Sequence, residues 1–429
     1  MKTRSTTFFR TLTILCLALM GIVTLLAQTT RISPFRRVPV ITSLQAVTEY
    51  ASNATTACST NSPKSIGYGT GNNPCMVATG DFNGDGKLDL ITANYESNNI
   101  SLLTNDGAGS FKAAASFAAG INPRAVATGD LNGDQAPDLA VANYTTGRVS
   151  ILLSNGKGGF AAPISIEGMD YPTSIGIGDF NGDKKPDLAV TNSGSYDLAI
   201  VFGNGNGTFG RLERYYPGRV PFALAVADFN KDGNDDVVVT NNVSNTIIMY
   251  TNNGYGGFYA GDWYAGVAPT AVTAGDFNGD KFLDIAVSNY ESSSVTVIMN
   301  DTVGGFRGER HYEVGAFPLA VGAADMNGDG KQDIVAVNQG SDFVSVLMAN
   351  QQDGFTRANM PATDNLVSVA AGDFDGDKNA EISLAGYWTN EIMMMSGGCL
   401  NTFAAPAAEA PTSRVTLRGL RSLRLSRNR

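Results

Sequence analysis

The stretch Asp81-Phe-Asn-Gly-Asp-Gly-Lys-Leu-Asp89 decides the fold, because it returns six more times along the chain. Its copies are Asp130-Leu-Asn-Gly-Asp-Gln-Ala-Pro-Asp138, Asp179-Phe-Asn-Gly-Asp-Lys-Lys-Pro-Asp187 and Asp228-Phe-Asn-Lys-Asp-Gly-Asn-Asp-Asp236. Then come Asp276-Phe-Asn-Gly-Asp-Lys-Phe-Leu-Asp284, Asp325-Met-Asn-Gly-Asp-Gly-Lys-Gln-Asp333 and Asp373-Phe-Asp-Gly-Asp-Lys-Asn-Ala-Glu381. The first Asp recurs at intervals of 49, 49, 49, 48, 49 and 48 residues, a spacing that only a structural repeat produces.

Each unit reads as four short strands. In the second, Ala125–Gly129 runs into the Asp loop and Leu139–Ala142 leaves it. Val149–Leu153 follows, and the Gly-rich turn Ser154–Gly159 leads into Phe160–Ile166. Runs of Val, Ile, Leu and Ala punctuated by Asn and Gly are strand and hairpin signals. Sustained helical periodicity is missing after the leader, so an all-β protein nearly free of helix is expected. Four strands in about 49 residues match one propeller blade, and seven units predict a seven-bladed β-propeller of four-stranded antiparallel blades. The 49 Gly, 43% hydrophobic content and 16% charged residues agree with a packed, turn-rich β protein.

The motif Gly-Asp-Phe-Asn-Gly-Asp, followed by Leu-Asp-Leu-Ile or Pro-Asp-Leu-Ala-Val and then Ser-Ile-Leu-Leu-Ser-Asn-Gly, resembles the FG-GAP/VCBS repeat family, which includes the integrin α-chain propeller. The resemblance covers residues 74–405, with units starting near 74, 123, 172, 221, 269, 318 and 366. It implies the seven-bladed fold and bound calcium, but it assigns no single activity.

The residues themselves also point to calcium, up to seven ions. A hard cation wants six to eight oxygens from a short loop. Position 1 of the loops is Asp81, Asp130, Asp179, Asp228, Asp276, Asp325 and Asp373; position 3 is Asn83, Asn132, Asn181, Asn230, Asn278, Asn327 and Asp375. Position 5 is Asp85, Asp134, Asp183, Asp232, Asp280, Asp329 and Asp377, and position 9 is Asp89, Asp138, Asp187, Asp236, Asp284, Asp333 and Glu381. Position 7 would give its backbone carbonyl from Lys87, Ala136, Lys185, Asn234, Phe282, Lys331 and Asn379. Gly at position 4 in six loops permits the tight turn. An EF-hand would need an acid at position 12, where the first loop has Thr92. The ligand positions of the loops hold 22 of the 40 acidic residues, and carboxylates so crowded repel unless a cation sits among them. The net charge of −10 argues against a nucleic-acid partner.

Strand alternation places the Asp loops and Gly-rich turns on one face. The Pro-bearing loops and the turns Asn94-Tyr95-Glu96, Asn143-Tyr144, Asn289-Tyr290-Glu291 and Gly386-Tyr387-Trp388 fall on the other. Tyr95, Tyr144, Tyr290 and Trp388 are the candidate contacts for an extracellular glycan or protein ligand. The Asn that stands 13 residues after the first Asp in six units reads as a turn residue bonding its own backbone. Catalytic signals are sparse: His311 is the single His, and no nucleophile elbow or zinc motif occurs. A carboxylate pair for glycoside chemistry could still come from Glu96, Glu291 or Glu391, so a polysaccharide lyase or glycosidase is the alternative to a binding scaffold.

Residues 1–27 read as a signal peptide, with basic Lys2, Arg4 and Arg10 before the apolar run from Leu12 to Leu26. A secreted or cell-surface location, bacterial by repeat style, follows, with no span in the mature chain and a monomeric domain. Residues 28–73 are an N-terminal segment able to supply a closing strand, and 406–429 are a basic flexible tail. An odd set of three cysteines remains, and loop reach favours a Cys58–Cys75 bridge with Cys399 free.

Overall fold

The computed structural model describes residues 65–301, 305–350, 354–363 and 365–395. These residues form seven four-stranded antiparallel sheets, with no helix among them. The chain is an all-β seven-bladed propeller. Each inner strand touches the inner strands of both neighbouring blades, and Pro74–Gly80 meets Leu366–Gly372 to close the ring. In the seventh sheet the outermost strand is Ile66–Gly69, antiparallel to Glu391–Met395, so the first described strand completes the last blade.

The strand sequences follow the layers. The second strands, such as Asp89–Asn94, Asp187–Asn192 and Asp333–Asn338, are buried at every residue, because a neighbouring blade covers both faces. Their continuous apolar runs (Leu-Ile-Thr-Ala, Leu-Ala-Val-Thr, Ile-Val-Ala-Val) are what such a strand requires. Outer strands such as Ile164–Glu167 and Phe306–Glu313 are mostly exposed and polar. The outer strand of the second blade begins at Ile164, later than expected from the sequence. Phe160 instead forms an isolated bridge with Ser154 that closes the Gly-rich turn.

The Asn 13 residues after the first Asp does not bond its own turn as expected. It is buried, and in five blades its Nδ2 donates to a hydroxyl of the third strand, as Asn94 to Ser101 at 2.9 Å, Asn143 to Ser150 at 2.8 Å and Asn289 to Thr296 at 2.8 Å, while Asn192 donates to the Asp197 carboxylate at 2.7 Å. A glycine beside it makes room. A Cβ on Gly266 would lie 2.5 Å from Asn289 Cγ.

Every inner strand carries a register irregularity just after its first residue, as between Pro74 and Met76 or Pro123 and Ala125. Such bulges re-aim the side chain they skip. The skipped residue includes Cys75 in the first blade and Arg124 in the second.

Candidate functional sites on the two faces

On the first face, the position-1 carboxylates organise their own loops. Asp81 accepts from the N–H groups of Gly84 at 2.8 Å, Asp85 at 3.1 Å and Gly86 at 2.7 Å. Asp276 does the same with Gly279, Asp280 and Lys281. For Asp130, burial pushes the carboxyl up, but four such amide donors outweigh it and hold the group below its ordinary value. The turn needs left-handed backbone at positions 4 and 6, as at Gly84 (φ 75) and Gly86 (φ 80). Lys231 adopts it at position 4 (φ 59) and Gln135, Lys184, Lys281 and Lys378 at position 6, so Gly is favoured there without being obligatory.

Positions 1, 3 and 5 are laced together. The position-3 side chain accepts from the position-5 amide (Asn83 from Asp85, 2.9 Å), and the position-5 carboxylate accepts from the position-7 amide (Asp85 from Lys87, 3.0 Å). In the seventh loop, one oxygen each from Asp373, Asp375 and Asp377 lies within 4.8 Å of the others. That is about twice a calcium–oxygen distance, so this exposed donor set fits a hard cation. Among the described residues it is the one such trio of acidic side chains. In the other loops, where position 3 is Asn, the position-9 carboxylate does not complete a trio with positions 1 and 5.

Position 9 is a strut. Asp89 is buried and accepts from Phe82 N–H at 3.1 Å and from Asn105 N–H at 2.8 Å, joining the Asp loop to the Gly-rich turn. Asp138, Asp187, Asp236, Asp284 and Asp333 repeat both bonds, and Glu381 keeps the first with Phe374. Burial pushes these carboxyls up, Asp187 and Asp236 to about 6 and Asp284, Asp333 and Glu381 to about 7; the amide donors oppose the shift and the other loop carboxylates add to it.

The same loops lock blade to blade. The position-2 residue is fully buried, and Phe82, Phe180, Phe229 and Phe277 meet Phe160, Phe258, Phe306 and Phe355 of the following blade at 5.8–5.9 Å. Phe374 meets Phe111 at 5.6 Å and closes this circle. Backbone bonds reinforce it, as from Gly158 N–H to the Phe82 carbonyl at 2.8 Å.

The opposite face is built on a different set of turns. The residue before each inner strand has left-handed backbone, including Tyr171 (φ 49), Val220 (φ 56) and Phe317 (φ 55), where a side chain costs strain. Its carbonyl accepts from the first residue of the next hairpin turn, as Asn73 does from Tyr95 and Asn365 from Tyr387. Of the four ligand candidates, Tyr95 and Tyr144 come together at 6.5 Å, and Tyr144 reaches Tyr171 at 5.1 Å. Tyr290 pairs instead with Phe317 at 5.0 Å and donates to Gln339 at 3.0 Å. Trp388 is 54% exposed and stands edge-on to Tyr387 at 4.9 Å.

Sequence reasoning placed Tyr387 on this face but chose Trp388 beside it as the candidate, although Tyr387 stands 14 residues after Asp373, as Tyr95 does after Asp81. It missed Arg124, whose guanidinium lies 5.5 Å from the Tyr144 ring and 5.0 Å from that of Phe222. The Cys75 sulfur lies against the carbonyls of Ala93, Pro123 and Arg124 at 3.2–3.3 Å, and burial pushes its thiol up to about 12. Cys58 and Cys399, and with them the expected bridge, lie outside the described residues, as do the leader and the basic tail. His311 bonds Thr296 through Nδ1 at 2.8 Å. Among the described residues no helix is long and apolar enough to cross a membrane.

The model for the FG-GAP-like repeat matches six overlapping segments, 81–141, 130–190, 179–239, 228–287, 276–336 and 325–383. No curated protein sequence matches the chain. Solved structures share its fold. A structure of BBS1N in complex with ARL6DN aligns with TM-score 0.58 at 14% identity, over 78% of this chain and 96% of that one. A putative 6-phosphogluconolactonase from Bacteroides fragilis aligns with TM-score 0.56 at 15% identity, over 69% and 86%. A lectin from Agrocybe aegerita that recognises non-reducing terminal N-acetylglucosamine aligns with TM-score 0.50 at 14% identity, over 76% and 96%. At these identities the likeness is one of fold alone.

Proposed function

Because the chain belongs to the FG-GAP-like repeat family, we propose that it is an exported or cell-surface propeller whose Asp loops hold calcium and whose opposite face captures a ligand, a glycan or a protein. The observation that carries the reading is the division between faces. One face is spent on interlocking loops, while the other presents the half-buried rings of Tyr95, Tyr144 and Tyr171 and the exposed indole of Trp388, which rests on the buried Tyr387. Aromatic rings with a polar tip are the side chains that dominate binding hot spots.

In this reading positions 1, 3 and 5 hold the cation, most completely in the seventh loop through Asp373, Asp375 and Asp377. Calcium would supply the positive charge that the crowded carboxylates otherwise lack. The position-9 carboxylates contribute as buried struts beneath the loop.

The test is an array of glycans and matrix proteins probed with the mature protein, with calcium or with chelator. Replacing Tyr95, Tyr144, Tyr290 and Trp388 by Ala should abolish capture while leaving the melt in place. Undiminished capture by that variant would move the ligand site off this face. Release of reducing or unsaturated ends from a polysaccharide would replace the scaffold reading with an enzyme.

A further inference from the structure

Arg124 is the one charged residue at the skipped position of the inner strands; its counterparts are Cys75, Thr173, Phe222, Thr270, Leu319 and Val367. Cys75, Thr173 and Thr270 use the position to bond the Pro carbonyl of the next blade. Arg124 does not. Its guanidinium lies over Tyr144 of its own blade and Phe222 two blades on, so it reaches across the axial end of the intervening blade.

Among the described residues no carboxylate answers its charge. The ion pairs among the described residues involve Arg148, Lys185, Arg211 and Arg214, and never Arg124. No side-chain hydrogen bond ties it down, and its Nε is buried without a partner. Glu96, exposed on the turn beside Tyr95, makes no ion pair with it. A half-buried cation between two rings is stabilised by their π faces, but its in-plane N–H donors keep their demand for acceptors. Those donors form the fork that matches a carboxylate.

We propose that Arg124 is the anchor of a carboxylate-binding site at the axial end of the aromatic face, and that its ligand is an acidic sugar unit of the uronate class. The rings decide for a sugar. Tyr95 and Tyr144, paired at 6.5 Å beside the guanidinium, offer flat apolar faces to the C–H face of a pyranose, while the guanidinium takes the ring carboxylate. The bulge at Arg124 fixes the side chain's aim, so the site is built into the backbone. This inference rests on the ligand-capture reading above and names the class of ligand.

The test is calorimetric titration with oligomers of galacturonic acid and of glucuronic acid, and with the same oligomers after reduction of their carboxyls to neutral alcohols. The wild type should bind at least one acidic oligomer, and its reduced form about tenfold or more weakly. Arg124→Gln should lose a similar factor and no longer distinguish acid from alcohol. Arg124→Lys, which keeps the charge but not the fork, should fall between them and serves as the comparison if the Gln variant melts early. In the wild type the Arg124 Nε–H resonance should move on titration. The inference is overturned if neither acidic oligomer binds, if the reduced forms bind equally well, or if folded Arg124→Gln binds as the wild type does. Array capture of a neutral glycan or a peptide that depends on Tyr95 and Trp388 but not on Arg124 would overturn it too, and would leave the ligand-capture reading standing.

Discussion

The two faces are made by the same repeat, yet they use its residues in opposite ways. On the Asp-loop face nearly every repeated side chain is committed inside the protein. Position 1 organises its loop, position 2 packs into the next blade, and position 9 ties two turns together. On the other face only the backbone repeats strictly, through the left-handed residue before each inner strand and the amide bond it accepts. The side chains there vary from blade to blade: Tyr95, Tyr144, Ser193, Asn242, Tyr290, Gln339 and Tyr387 occupy one equivalent position. A repeat protein keeps the residues that hold blades together and varies those that meet a partner. Perturbations of the first face should therefore register as stability, and perturbations of the second as binding.

The largest expected effect is removal of calcium. At millimolar calcium and a Kd near 0.1 mM, each site contributes about 1.4 kcal/mol by mass action. Seven sites would total about 10 kcal/mol, comparable with a whole domain's net stability. Calorimetry should show a large fall in melting temperature with chelator. An unchanged melt, with metal analysis finding no calcium, would reduce the Asp-loop face to hydrogen-bonded turns.

Next comes the circle of buried rings. Phe180→Ala removes a fully buried ring 5.9 Å from Phe258, and should cost about 3–5 kcal/mol in chemical unfolding. The same truncation at Leu131, an aliphatic side chain in the equivalent place, should cost about 2–5 kcal/mol. A loss below about 1 kcal/mol at both would show that the blades do not depend on this face.

The position-9 carboxylates sharpen the comparison through pH. Burial raises Asp333 from 3.8 to about 7 in the cation-free loop, so the folded protein binds that proton more tightly than the unfolded chain does. Its contribution is then fully present below about pH 4 and is lost as pH rises to about 7, at about 1.4 kcal/mol per unit at most. In chelator, the urea midpoint should fall between pH 5 and pH 8, and Asp333→Asn should flatten part of that slope. Calcium should weaken the fall, because a nearby cation favours the ionised form. Equal midpoints at both pH values in chelator would mean that these carboxyls titrate normally.

Much of this was legible in the sequence, and the physical reason is periodicity. The 49-residue interval gave the blade count, and the alternation of strands gave the faces without any coordinates. What the sequence left unread was local. Position 9 reads as a ligand because Asp is a ligand type; that it also joins two turns, through the amides of Phe82 and Asn105, is not written in the loop motif. The Asn before six of the turns reads as a turn residue, although its bond runs to a polar side chain of the third strand. Arg124 was invisible because nothing in Pro-Arg-Ala-Val announces a bulge, and its neighbour Phe222 lies 98 positions further along the chain.

The smallest expected effect belongs to Trp388, and it is the most direct attempt to break the comparison. The indole is 54% exposed, and Tyr387 is its one ring partner among the described residues. Truncating a surface side chain away from buried features changes stability by no more than about 0.5 kcal/mol. Trp388→Ala should therefore unfold within that margin of the wild type, in calcium and in chelator alike. Its effect on capture should be far larger, because an exposed aromatic that meets a ligand loses most of its contact area on truncation, at a cost of about 2 kcal/mol or more for a hot spot. The two measurements must be made on the same preparation, since the claim concerns their ratio. If Trp388→Ala lowers the melt as much as Phe180→Ala does, the indole is part of the scaffold and the faces do not divide the work. If stability and capture both stay at the wild-type value, the aromatic face still stands apart from the loops, but its ligand is held by the half-buried rings of Tyr95 and Tyr144 and not by this exposed one.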